Sequence, residues 1–522
     1  MMTEKKRVTR AAGVVGSATL LSRILGFVRD VVIAWFFGAG LASDAFFVAF
    51  RIPNLLRRLF AEGSLTIAFI PVFTEYLSRK GKKEAFALGR AAVRLLSVLL
   101  ALTALLGIVC APLIVWLIAP GFASSPDKQA LTILLTRIMF PYIFFIGLVA
   151  LAMGILNALG HFAAPALAPV MLNLAIITSA LLIAPRLAEP VVGLAIGVCV
   201  GGVLQLALQI PFLIRKGFDF WTKSRFWHPG LKRIGVLMLP AVFGAAVYQI
   251  NILVGTLLAS LLPEGSVSYL YYADRLVQFP LGIFAIATAT AVLPSLSRQA
   301  ADGDINALSE TFAHAMKLVL FITIPSMVGL IVLREPIVAL LFKRGAFDVR
   351  TTRLTAEALL YYGLGLWAFA AVRIVVSTYY ALQDTKTPVR MAIMAICVNI
   401  VLSILLMGPL KHGGLALATS LASVVNLGLL IGALAKRLGP INWGSIVGSL
   451  AKTAIASSVM GGVVWIVAHT VLPSVGGSTI TLLAGLAGVI VTGIVLYGLG
   501  SLCLKSAELK EILIMFRITS RK

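Results

Sequence analysis

The chain has 522 residues, 60% of them hydrophobic and only 12% charged, with a mean hydropathy of +1.01. A soluble domain carries about a quarter charged residues, so a soluble fold is excluded and an all-α polytopic membrane protein is expected. The formal charge of +24 does not mark a nucleic-acid partner, because Lys and Arg sit in short connections between apolar spans.

The N-terminus "MMTEKKRVTR" is basic and runs into a long apolar stretch with no small-residue cleavage site, so it reads as an uncleaved first helix. Apolar runs of about 20 residues or more predict about fourteen helices. They lie at 11–38, 45–77, 88–118, 131–159, 165–185, 191–214, 234–261, 267–297, 308–333, 355–382, 389–408, 414–435, 447–470 and 479–503. In the first, "SRILGFVRDVVIAWFF" (22–37) places Arg23, Arg29 and Asp30 where charge is most costly. At about 100° per residue, Thr19, Ser22, Arg23, Gly26, Arg29 and Asp30 fall within an arc of about 120°. Leu20, Leu21, Ile24, Leu25, Phe27, Val28, Val31 and Val32 fill the opposite side. The charges form one polar stripe.

The second span, "SDAFFVAFRIPNLLRRLFAEG" (43–63), stacks Asp44, Arg51 and Arg58 at seven-residue spacing, with Asn54 and Glu62 nearby and Arg57 on the flank. The eighth, "SVSYLYYADRLVQFP" (266–280), groups Ser268, Tyr271, Arg275 and Gln278. The connection 334–353 is unusually basic and reads as a re-entrant or gating segment. Across 447–503 the only Lys, Arg, Asp, Glu or His residues are Lys452 and His469. That composition suits either an accessory helix pair or a lipid-facing groove for a long hydrocarbon.

Cys110, Cys199, Cys397 and Cys503 all lie in apolar segments and read as packed small residues. No HExxH, CxxC pair, Walker loop or GxSxG is present. No metal or cofactor is expected on these grounds.

Among alternate connections, the set that includes both termini carries about 24 Lys and Arg and the other about eight, which places both termini in the cytoplasm. "FIPVFTEYLSR" (69–79) is echoed by "VLPSLSRQ" (292–299), and "NALGHFAAP" (157–165) by "YALQDTKTP" (380–388). One offset separates Pro71 from Pro294 and Pro165 from Pro388. Two parallel six-helix lobes follow, related by a pseudo-twofold axis along the membrane normal, as in transporters. The expected division is 1–218, 219–440, and 441–522 for the last two helices and a basic tail.

An arginine at the centre of a lipid-facing helix costs about 2.5–3.5 kcal/mol. Arg23, Arg29, Arg57 and Arg275 together would cost about 10–14 kcal/mol, the size of a whole protein's stability. They are expected to face a hydrated cavity between the lobes. Pairs such as Arg29–Asp30, Arg58–Glu62 and Arg275–Asp274 are the competing explanation. Stretches 22–37, 43–63 and 266–280 nevertheless hold six arginines against four carboxylates, and a guanidinium fork suits phosphate oxygens.

The run "SRILGFVRDVVIAWFFGAGLASDAFFVAFRIPNLLRRLFAEGSL" resembles the MurJ (MviN-type) lipid II flippases of the multidrug/oligosaccharidyl-lipid/polysaccharide exporter superfamily. So do "APGF" (119–122), "FPYI" (140–143), "ILNALGHF" (155–162), "GGVLQL" (201–206), "SVSYLYYADRL" (266–276), "LPSLS" (293–297), "QDTKTPV" (383–389) and "GPLKHGGLAL" (408–417). The resemblance implies a fourteen-helix protein of the bacterial cytoplasmic (inner) membrane. It would move lipid II, an undecaprenyl-pyrophosphate disaccharide-pentapeptide, to the periplasmic leaflet by alternating access.

The family's cavity arginines map onto Arg23, Arg29, Arg57 and Arg275, and its acidic positions onto Asp30 and Asp44. Its lipid-tail groove falls on the last two helices. Expected partners are lipid II, membrane lipids and other cell-wall synthesis proteins; no cofactor is implied, and a coupling ion is left open. Gln278 stands where some relatives have Glu. Some relatives bind sodium between helices 7, 11 and 12, where this chain has no Asp or Glu, and Asn399 and Thr419 are the remaining candidate oxygens. Two rival functions stay open: export of another polyprenyl-linked glycan or amphipathic compound, and a membrane enzyme acting on polyprenyl phosphates.

Overall fold

A computed structural model describes residues 4–59, 65–222, 227–439, 442–472, 479–511 and 514. These form nineteen α-helices and, among the described residues, no strand. The chain packs as two units, Met1–Val267 and Ser268–Lys522. The first holds α1 (Glu4–Phe37), α2 (Leu41–Leu59), α3 (Leu65–Arg79), α4 (Gly81–Val109), α5 (Ala111–Ile118), α6 (Pro126–Met139), α7 (Tyr142–Ala158), α8 (Ala163–Leu182), α9 (Val191–Arg215) and α10 (Pro229–Ser260). Helix α11 (Ser266–Pro280) begins at the boundary. The second unit continues with α12 (Ile286–Ala301), α13 (Ile305–Val332), α14 (Arg334–Phe342), α15 (Val349–Gly363), α16 (Leu366–Ala381), α17 (Lys386–Leu438), α18 (Trp443–Val471) and α19 (Thr479–Cys503).

Among the described residues helix falls in each of the fourteen apolar runs, but not one helix to each. Run 355–382 is divided into α15 and α16, which meet at 43°, whereas α6 and α7 follow one another through Phe140 and Pro141 in helical backbone and make one span. Conversely, runs 389–408 and 414–435 are joined in α17, which is bent at Lys411 (φ 49°, ψ −130°), two residues after Pro409. Among the described residues, nine helices are long and apolar enough to cross a membrane, or ten if the bent pair is one span. Helix α2 is not among them, since it carries Asp44, Arg51, Arg57 and Arg58.

The element order α4 to α9 recurs as α13 to α17, the last counting as two segments. The basic connection 334–353 then has a counterpart: α14 follows α13 as α5 follows α4. Its turn closes on Asp348, whose carboxylate accepts the Thr351 N–H at 2.7 Å, so this connection holds a short helix and a capped turn.

Packing and internal homology divide the chain differently. The second lobe is expected to start at 219, whereas α10 packs on α2, α3, α4 and α5 and lies in the first packed unit. Within that unit α1 lies on α8 and α8 on α9. Phe140, with Leu100 and Ile143, forms a buried cluster, and its ring lies where a side chain on Gly107 would stand, 1.8 Å from an added Cβ. In the second unit Leu333, Met460, Val464, Ala468, Leu486 and Val489 join α18 and α19 to α13 and α14.

The turn before α17 is tied by Asp384, which accepts the Lys386 and Thr387 N–H groups at 3.0 Å each and the Thr387 hydroxyl at 2.6 Å. Arg437, at the far end of α17, meets the same carboxylate at 2.9 Å. The Thr387 hydrogen bonds first, and the Arg437 charge after them, hold Asp384 below the ordinary carboxylate range. Asp384→Ala is expected to cost about 1 kcal/mol of stability at neutral pH. A carboxylate with a lowered pKa contributes above its unfolded value, about 3.9, and loses that contribution as pH falls through the folded one. Thermal unfolding in detergent should therefore separate wild type from variant at pH 7, with the gap narrowing below about pH 4.

Candidate functional site

On α1, Leu20, Leu21, Ile24 and Val28 are exposed, which suits hydrocarbon, and so are Thr19 and Arg23 of the polar stripe, while Arg29 and Asp30 are 9% and 2% exposed. A buried charge must be paired and hydrogen-bonded. The Arg29 Nε and Nη2 donate to one Asp30 carboxylate oxygen at 3.0 and 2.7 Å. Its Nη1 donates to the Asn173 Oδ1 of α8 at 3.2 Å. Arg23, two turns earlier, is exposed.

On α2, Arg57 donates from Nε and Nη2 to the Asn54 amide oxygen at 3.2 and 2.9 Å. Arg51, Asn54 and Arg58 are half-buried. Glu62 lies outside the described residues. Asp44, expected beside the arginines, is 1% exposed and forms an ion pair with Lys128 of α6 at 2.7 Å. The same Asp44 oxygen accepts the Gly265 N–H at 2.8 Å, and Lys128 also stands 4.3 Å from the centre of the Phe122 ring. Next to this pair, the Glu264 carboxylate accepts the Leu41 N–H at 2.9 Å, where the N-terminus of α2 favours negative charge. The Gly121 N–H donates to the Ser260 hydroxyl at 3.2 Å, and a Cβ on Gly121 would lie 2.1 Å from the Ser260 carbonyl oxygen. Glycine alone allows that approach.

In the second unit, Arg275 lies over the Tyr271 ring at 4.8 Å and donates to its hydroxyl at 2.9 Å. Ser268 is fully buried. Gln278 is exposed and reaches Asp274 at 3.4 Å. Of the two candidate sodium oxygens, both on α17, the Thr419 hydroxyl donates to the Leu415 carbonyl at 2.9 Å and Asn399 is buried. Helices α18 and α19 bury one side on each other and on α13, and expose Ile455, Val459, Ile466, Ile490 and Ile494 on the other.

Sequence reasoning missed Lys128, Asn173 and Glu264. Lys128 lies just before the apolar run 131–159, where nothing in the sequence marks it. Asn173 did leave a signal, as the one amide side chain in the run 165–185.

The arrangement is that of a polytopic, all-helical membrane protein. An inward-facing multidrug resistance MATE family transporter of the MOP superfamily shares it, at a TM-score of 0.68 and 16% identity over 82% of this chain and 98% of that one. A solved structure described as lipid II flippase MurJ in an inward closed conformation matches at a TM-score of 0.80 and 30% identity, over 96% of this chain and 99% of that one. The family described as lipid II flippase MurJ matches residues 33–485. A probable lipid II flippase MurJ of Vibrio cholerae is 42% identical over 82% of this chain and 83% of its own length. The lipid II flippase MurJ of Burkholderia cenocepacia is 40% identical over 82% and 84%. The chain belongs to the lipid II flippase MurJ family.

The Lys128–Asp44 pair generates a stability prediction. Lys128→Met leaves the Asp44 carboxylate buried without its cation, which should cost about 3–5 kcal/mol. The double variant Lys128→Met, Asp44→Asn removes both charges and should lose much less. Thermal unfolding in detergent measures both, and an unchanged Tm for Lys128→Met would show that the pair does not stabilise the fold.

Proposed function

We propose that this chain moves lipid II from the cytoplasmic to the periplasmic leaflet of the bacterial inner membrane. Arg23, Arg29, Arg57 and Arg275 meet the pyrophosphate, and alternating access exposes them first to one side and then to the other. The observation that carries this reading is the concentration of arginine in α1, α2 and α11 of a chain in the lipid II flippase MurJ family. Across 22–37, 43–63 and 266–280 six arginines stand against four carboxylates, and Lys128 engages one of the four, Asp44.

The chain crosses the membrane fourteen times with both termini in the cytoplasm, a reading supported by the excess of Lys and Arg on that set of connections. The prenyl tail follows the apolar outer faces of α18 and α19, while the disaccharide-pentapeptide stays in water. A membrane potential negative inside favours outward movement of an anion by about 2.3 kcal/mol per charge per 100 mV.

The test is a lipid II accessibility assay across the membrane at matched protein levels. A charge-assisted hydrogen bond contributes about 1.5–3 kcal/mol, so Arg29→Ala, Arg57→Ala and Arg275→Ala should each lower transport by about ten- to a hundredfold. Wild-type flipping in all of them would overturn the assignment. Dissipating the potential with ion gradients intact should slow flipping; an undiminished rate would rule out voltage as the driving force.

A further inference from the structure

Among the described residues, α1 and α8 both engage the Arg29 guanidinium. Asp30, its neighbour on α1, takes the edge made by Nε and Nη2, and Asn173 on α8 takes Nη1 at 3.2 Å. Asn173 is 6% exposed. Its own orientation is set by a second bond, Nδ2 to the Ser22 carbonyl at 3.0 Å. A carbonyl can only accept, so the amide nitrogen faces Ser22 and the amide oxygen is left facing Arg29.

The geometry of α1 explains how one amide reaches both partners. Ser22 and Arg29 are seven residues apart, two turns on one face. The Ser22 carbonyl points toward the C-terminus, and the Arg29 side chain leans back toward the N-terminus. They converge at the level of Gly26. An added Cβ there would stand 3.5 Å from the Asn173 Nδ2 and 3.8 Å from its Oδ1. A methyl would make ordinary van der Waals contact with the amide, and a bulky branched side chain would crowd it. Gly26 thus opens the space in which α8 grips Arg29.

The chemistry of the grip is as informative as its place. Asp30 is a carboxylate, so an anion such as phosphate competes for its edge better than a neutral acceptor does. Asn173 is neutral, so it orients the fork without cancelling its charge. A second carboxylate at position 173 would give Arg29 two negative partners and turn a cationic locus into one that repels phosphate.

We infer that Asn173, admitted by Gly26, is a positioning residue for anion capture: it holds Nη1 while a phosphate oxygen replaces Asp30 on the Nε and Nη2 edge. This rests on the reading that Arg29 meets the pyrophosphate.

The experiment is equilibrium binding of lipid II to the purified full chain, run as a double-mutant cycle. Asn173→Ala should weaken binding about ten- to a hundredfold, the loss of one hydrogen bond to a charged group, and should have no effect in an Arg29→Ala background. Asn173→Asp should weaken binding more than Asn173→Ala does. Gly26→Leu, which changes neither partner, should reproduce the loss seen with Asn173→Ala. Each variant's Tm in detergent establishes that it is folded. Equal losses for Asn173→Ala with and without Arg29 mark a purely structural role and overturn the inference alone. Wild-type affinity in a folded Asn173→Ala protein also overturns it alone. Wild-type affinity in Arg29→Ala overturns the reading of Arg29 and the inference with it.

Discussion

A charge placed inside an apolar helix must be met by an opposite charge, a hydrogen-bonding group or water, because an isolated ion in a low dielectric is too costly to fold around. The organisation of the first unit follows from that requirement. Arg29 draws α8 onto α1 through Asn173, and Lys128 draws α6 onto α2 through Asp44. The Gly265 N–H on that carboxylate and the Leu41 N–H on Glu264 bring the segment after α10 to the start of α2. Small residues supply the room. Gly26 admits an amide and Gly121 admits a backbone.

Features set by local spacing were legible in the sequence. The face of α1 followed from the 3.6-residue turn, and the exposure of Leu20, Leu21, Ile24 and Val28 agrees with it. Tyr271 and Arg275, four apart on α11, meet as residues at that spacing do. Helix count was less legible than helix location. The 43° bend at Leu364–Gly365 interrupts an apolar run that hydropathy reads as continuous, because hydropathy averages over a window and a kink occupies two or three residues.

Partners distant in the chain were not legible. Lys128 and Asp44 are 84 positions apart and Arg29 and Asn173 are 144. Helical angles assign a side chain to a face but do not name the helix that will cover it. The sequence therefore set Asp44 beside Arg51 and Arg58, whereas the fold turns its carboxylate to Lys128. The place of α10 is a similar case. Internal homology groups it with the second repeat, but its contacts with α2, α3, α4 and α5 are long-range packing that no repeat pattern encodes.

The two buried cations differ in a way that bears on transport. Lys128 meets a carboxylate and a ring in a closed setting, which suits a contact that holds helices together. Arg29 meets a carboxylate from its own helix and a neutral amide from another. A carrier must release its cargo as well as bind it. A bare guanidinium would hold a phosphate tightly, and release would strand an unpaired charge in the protein. On the proposed reading, a phosphate leaving Arg29 is replaced by the adjacent Asp30, so the guanidinium is paired in both the bound and the empty state. The cost of binding then falls on Asp30, a buried carboxylate that gives up its cation to the cargo.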